Sequence, residues 1–285
     1  MREIVLSNGV KMPANGFGVY QISKEDCKES VLKALKVGYR SIDTAQAYFN
    51  EEEVGEAILE SGIDRKEIFL TTKVWIDNYG EGKTYDSVIE SMKKLKTDYL
   101  DLILLHQPIK DYFSAYRDLE KLYKEGKVKA IGVSNFYPDR LLELCFSVDI
   151  KPMVNQIEVN PFNQNIDAYN WANKYGVVVE AWAPFGEGRN GIFTNPVLKE
   201  IACNHHKSVA QVILRWLYQR GIVSLAKSVR EERMQENFDI YSFELTDEEM
   251  HKIMSLDSNK SLFFDHRDPN MIEWFEQLVS QRRNK

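Results

Sequence analysis

The chain has 285 residues, of which 44% are hydrophobic and 28% charged, and its formal net charge is -6. That balance is ordinary for a globular protein, and the acidic surplus argues against nucleic acid or an anionic membrane as a partner. Cys27, Cys145 and Cys203 lie far apart without CxxC spacing, which excludes a disulfide framework and a zinc site and points to reduced, packing cysteines.

The start reads as a β-hairpin, with Ile4–Leu6 and Val10–Met12 flanking Ser7-Asn8-Gly9. A strand over Phe17–Val19 is followed by a helix over Lys24–Val37. The same alternation predicts a strand at Arg40–Ile42 with a helix at Glu51–Glu60, then Ile68–Lys73 with Tyr85–Leu95. It continues with Leu100–Leu105 and Ala115–Lys124, Lys127–Val133 and Pro138–Cys145, Met153–Ile157 and Ile166–Tyr175. Val177–Trp182 precedes helices at Pro196–Asn204 and Val209–Gln219. Val223–Leu225 is the eighth strand, and helices at Arg230–Asn237, Asp247–Ser255 and Asp268–Val279 complete the pattern.

Glycines at 38, 126, 176 and 221 stand where helices should end, and Thr246 with Glu249 forms a capping box. Apolar strands alternating with amphipathic helices indicate βα units around a parallel sheet. An open doubly wound sheet would need a phosphate turn, yet neither GxGxxG nor GxxxxGK[ST] occurs. The expected fold is therefore a (β/α)₈ TIM barrel with an N-terminal β-hairpin and extra C-terminal helices, a single domain over 1–285. Residues 1–9 carry no apolar leader, and no window approaches the roughly 18 apolar residues of a membrane span, so the cytoplasm is the expected location.

In such a barrel the chemistry gathers where the strands end. Asp43, Lys73 and His106 close three neighbouring strands, and Tyr48 lies in the loop after Asp43. A free phenol titrates near 10, and a nearby ammonium lowers that value. Lys73 can supply the charge, and Asp43 can keep it protonated. The set suits a tyrosine general acid with an imidazole donor for a substrate oxygen, hence carbonyl reduction. Each residue alone is more often structural, as buried Asp–Lys pairs are; their convergence carries the reading.

The segment Gly38–Glu51, the run Leu104–Pro108, the run Ile131–Phe136, and Lys227-Ser228 followed by Arg233, Glu236 and Asn237 resemble the signatures of the aldo-keto reductases, from about Leu6 to Asn237. The resemblance implies a catalytic tetrad of Asp43, Tyr48, Lys73 and His106, and NADPH as cofactor. It places Ser134, Asn135 and Gln156 at the nicotinamide carboxamide and Trp182 against the ring. The loop Ala183–Gly188, including Phe185 and Gly186, would cover the pyrophosphate. Lys227, Ser228, Val229 and Arg233 would surround the 2′-phosphate, with Glu236 and Asn237 at the adenine. Phosphate sites after the last two barrel strands, at a helix N-terminus, agree with this, and an arginine fork suits a phosphate monoester.

Gln107 stands where the family often has an aromatic, Ala226 departs from the usual proline, and Ala183 replaces a small polar residue or glycine. The segment after His106 is short, which predicts a wide pocket. Tyr20 and Trp75 are candidate substrate walls and favour apolar or aromatic carbonyl compounds. His205-His206 reads as a polar surface patch rather than a metal pair. A Schiff-base role for Lys73 would require it unpaired, and a purely structural role would not require the tetrad. A glutamate in place of His106, the family's variation for carbon–carbon double bonds, is absent. The expected partner is a small carbonyl compound, and the expected state a monomer, with a dimer left open.

Overall fold

The apolar strands have no face to offer water, and they bury both faces by closing on themselves. In the computed structural model, which describes residues 2–283, a hairpin of β1 (Glu3–Val5) and β2 (Lys11–Pro13) precedes the main sheet. Strands β3 (Asn15–Gly18), β4 (Ser41–Asp43), β5 (Phe69–Val74), β6 (Leu102–Leu105), β7 (Ile131–Ser134), β8 (Val154–Glu158), β9 (Val178–Trp182) and β10 (Val223–Ala226) form a closed parallel barrel. β10 pairs back onto β3 through Ser224↔Asn15 and Leu225↔Gly16.

Around it lie α1 (Lys24–Val37), α2 (Glu51–Glu60), α3 (Lys83–Lys94), α4 (Tyr112–Lys124), α5 (Pro138–Ser147) and α6 (Ile166–Lys174). They are followed by α7 (Pro196–Asn204), α8 (Val209–Gln219), α9 (Glu231–Phe238), α10 (Asp247–Met254) and α11 (Pro269–Arg283). Helices such as α3, α4, α6 and α8 pack on the strands, and Trp216, Tyr39 and Tyr116 are among the largest fully buried side chains. The capping box of α10 forms as expected, and α8 has a second one from Ser208 and Gln211. Gly38 closes α1 at φ 125, donating to Ala34 O and Leu35 O, a conformation that favours glycine. Gly132 has a different reason: a Cβ there would sit 2.4 Å from the Val154 carbonyl oxygen, so the strands could not approach.

Boundaries moved where polar residues flank the apolar cores. The strand expected over Lys127–Val133 begins at Ile131, because Lys127 and Lys129 stay at the rim, with Val128 bridging only Leu100. Helix α4 starts earlier than expected, since Asp111 accepts from the Ser114 N–H and caps it. Between β9 and α7 the chain makes tight turns over Gly186–Thr194, with positive φ at Glu187, Gly188, Asn190 and Gly191.

Candidate active site

Asp43 ends β4, Lys73 lies in β5, and His106 follows β6, so three adjacent strands deliver them to one end of the barrel. Tyr48 closes a short helical turn over Gln46–Tyr48, after which Phe49 turns at φ 59. Asn50 fixes this turn: it is buried, its Oδ1 accepts from Thr44 Oγ1 at 2.8 Å, and its Nδ2 donates to Val19 O at 3.1 Å. Gln46 ties the turn to β5 by accepting from Trp75 N at 2.8 Å. The four expected residues meet. Lys73 is fully buried and donates from Nζ to Asp43 Oδ1 at 2.5 Å, Thr44 O at 2.9 Å and Tyr48 Oη at 3.3 Å. The His106 ring stands edge-on to the Tyr48 ring, with centroids 5.7 Å apart.

Burial sets the electrostatics. It pushes the Asp43 carboxyl above its usual range, against the pull of Lys73. It works against the Lys73 charge as well, but Asp43 and Tyr48 overcome it and hold the ammonium above its ordinary value. Lys73 therefore keeps its proton. Tyr48 departs from the expectation that Lys73 would lower it. Enclosure of its hydroxyl pushes it up to about 12, and the nearby ammonium only reduces that rise. At neutral pH the phenol holds its hydrogen. Because Lys73 donates to Oη, that hydrogen points elsewhere, as a proton donor requires.

Gln156 on β8 lies beside Ser134 on β7, whose hydroxyl donates to the Gln156 carbonyl at 2.9 Å. The Gln156 Nε2 donates to Asp43 Oδ2 at 3.0 Å and to Glu180 Oε2 at 2.7 Å. Both amide hydrogens are thus committed, and Oε1 is left as the acceptor, which fits a primary carboxamide. Asn135, at φ 66, donates to His106 O and accepts from Trp182 Nε1 at 2.9 Å. Trp182 is half-buried, as a surface for a flat ring must be. Sequence reasoning missed Glu180. Its signal was a lone carboxylate inside the apolar run Val177–Trp182.

At the other end, Ala183 turns at φ 46, Phe185 is half-buried, and Gly186 is buried at φ 52 with Leu262 packed where its Cβ would be. Ser228 is buried and its Oγ accepts from Arg230 N, while Lys227, Val229 and Arg233 are exposed. Glu236 is half-buried and Asn237 buried on α9. Arg230 gives α9 no side-chain cap, so its first N–H groups stay open. Lys227, Arg230 and Arg233 make no ion pair among the described residues, and an uncapped helix start with three such cations fits a phosphate.

The chain beyond α10 crosses the rim and narrows the mouth that the short segment after His106 was expected to leave wide. His266 Nε2 meets Gln107 Oε1 at 2.9 Å, and Asn135 donates to the same oxygen at 3.3 Å. Burial lowers His266 to about 4, so it is neutral there. Phe263 stands 5.1 Å from Trp182, and Arg189 reaches Leu262 O. Tyr20 is exposed, 5.0 Å from the Tyr48 ring, and belongs to the mouth. Trp75 is buried between His106 at 5.2 Å and Phe275 at 5.9 Å, which puts α11 beside the pocket. His205 is a tie between helices rather than an open surface patch: its Nε2 meets Glu249 at 2.9 Å. Cys27, Cys145 and Cys203 are free, the first two buried. No cluster of three or more metal-ligating side chains occurs among the described residues, and no helix there is long and apolar enough to cross a membrane.

A closed βα barrel with Asp, Lys, Tyr and His at its strand ends defines a class, and comparison with known proteins gives the family. The sequence model of the aldo/keto reductase family matches residues 6–258, and the chain belongs to that family. It is similar to the glyoxal reductase of Bacillus subtilis (strain 168), at 48% identity over 90% of this chain and 93% of that one. The 9,11-endoperoxide prostaglandin H2 reductase of Trypanosoma cruzi (strain CL Brener) is 44% identical over 91% of this chain and 93% of its own. A Bombyx mori aldo-keto reductase solved in complex with NADP superposes with a TM-score of 0.88 at 33% identity, covering 92% of this chain and 95% of that one.

Proposed function

We propose that this protein, as one domain over 1–285, reduces aldehydes or ketones to alcohols with NADPH. The carrying observation is Lys73 Nζ, fully buried and held between Asp43 Oδ1 at 2.5 Å and Tyr48 Oη at 3.3 Å. NADPH, when bound, would supply a hydride to the carbonyl carbon. Tyr48 gives its phenolic proton to the carbonyl oxygen, and Lys73 stabilises the phenolate that remains. Asp43 keeps Lys73 charged, and a His106 ring N–H orients the substrate oxygen.

Trp182 would meet the nicotinamide ring, and Ser134, Asn135 and Gln156 its carboxamide. Ala183, Phe185 and Gly186 would line the pyrophosphate. Lys227, Ser228, Val229 and Arg233 would receive the 2′-phosphate, with Glu236 and Asn237 toward the adenine. The NADP complex of the Bombyx mori relative supports that cofactor. Tyr20 and Trp75 would flank the substrate, and the tail residues that narrow the mouth favour a compact one. The name of the Bacillus subtilis relative, a glyoxal reductase, puts small dicarbonyls first among candidates. Absorbance of NADPH, followed against a panel of aldehydes, ketones and dicarbonyls with NADH in parallel, tests the reading. NADPH-linked turnover supports it, and the absence of NADPH binding overturns it.

A further inference from the structure

Glu180 has no part in the tetrad, yet it lies fully buried in the barrel against it. Its Oε2 accepts from Gln156 Nε2 at 2.7 Å, and its Oε1 has no hydrogen-bond partner among the described residues. The same nitrogen donates to Asp43 Oδ2 at 3.0 Å. Two carboxyl groups thus grip one amide end, which fixes that end as the nitrogen. The charged groups facing Glu180 are Asp43 and Lys73; its partners on the flanking strands are Gln156 on β8 and Val223 on β10. Lys73 is already taken by Asp43, so no cation is left for Glu180.

We propose that Glu180 is a positioning residue of the reductase, holding Gln156 so that its Oε1 faces the cofactor carboxamide while Asp43 is kept for Lys73. This rests on the NADPH reading above. Two buried carboxylates sharing one ammonium cannot both ionise cheaply. Glu180 is the one that keeps its proton: burial first, then Asp43, raise it to about 8. Ionisation would put a second negative charge behind Lys73 and weaken the support that Lys73 gives Tyr48.

Glu180→Gln and Glu180→Leu test this. Glu180→Gln keeps an acceptor for Gln156 and cannot ionise. It should match wild-type turnover near pH 7 and hold it above pH 8, where wild-type activity should fall. Glu180→Leu removes the acceptor and should raise KM for NADPH about 2- to 10-fold with kcat nearly kept. Infrared difference spectra of the cofactor-free protein give an independent reading: a protonated-carboxyl band at pH 7 that Glu180→Gln removes. Superposable pH profiles, an unchanged KM in Glu180→Leu, or no such band would each overturn the assignment. Wild-type failure to oxidise NADPH would instead overturn the functional reading itself, and the band would still report on Glu180.

Discussion

The barrel carries a buried aspartate paired with cations at each end, and the two clusters are built differently. At the end where the strands begin, Asp101 Oδ2 accepts from Arg65 Nη1 at 2.8 Å and Leu70 N at 3.0 Å, while Oδ1 accepts from Lys129 at 3.0 Å. Arg65 also donates to Ile68 O, Tyr99 O and Thr97 Oγ1 and lies over the Tyr99 ring. Every charge there has a partner, and both cations reach solvent. At the other end Asp43, Lys73, Tyr48 and Glu180 are packed together, with one ammonium among three acidic groups; burial raises the acids, and Lys73 is raised by its neighbours against burial. The first cluster is satisfied by its partners; the second gathers shifted titratable groups in one enclosed place, the pattern that marks candidate functional sites.

Breaking each end should therefore give opposite phenotypes. Tyr48→Phe is the largest case: carbonyl reduction should fall by about 10² to 10⁴, while NADPH affinity and melting temperature stay near wild type, measured by fluorescence quenching and thermal unfolding. Equal activity would remove Tyr48 from its role. Asp101→Ala should do the reverse, costing about 1–3 kcal/mol in urea titrations by leaving the buried Leu70 N–H without its acceptor, with kcat per folded molecule unchanged. Arg233→Ala tests the phosphate end: NADPH should bind about tenfold more weakly and NADH equally well, without loss of stability. An equal loss for both cofactors would take Arg233 out of the 2′-phosphate site.

The smallest effect concerns pH. Glu180 titrates at about 8 when folded against 4.5 ordinarily, so between those values the folded chain holds a proton that the unfolded chain has lost. Stability falls as pH rises through that window. Glu180→Gln should remove this slope. The difference should be on the order of 1 kcal/mol, because Asp43 and Lys73 readjust as Glu180 ionises. Identical slopes in the two proteins would mean that Glu180 is not the titrating group.

The barrel was legible because periodicity is a property of each segment alone: every βα unit was readable from its apolar pattern, and α7 and α8 matched to the residue. Asp43, Lys73 and His106 could be brought together because strand ends in a barrel share a face. Contacts between distant segments were not legible. Glu180 meets Asp43 through Gln156, and His266 meets Gln107 across 159 positions, which no local pattern records. The direction of the Tyr48 shift was also hidden, since the charge of Lys73 is written in the sequence and the enclosure that outweighs it is not.

Closure of the ring brings Ser224 against Asn15, positions 209 apart in the chain. Pairing the last strand with the first closes a loop spanning nearly the whole barrel, a contact of long sequence separation with a high entropic cost. The chain leaving the seam at Ala226 runs directly into Lys227 and Ser228. A dinucleotide bound there would act as a latch on that joint, slowing the opening of the ring and shielding the protein from proteolysis.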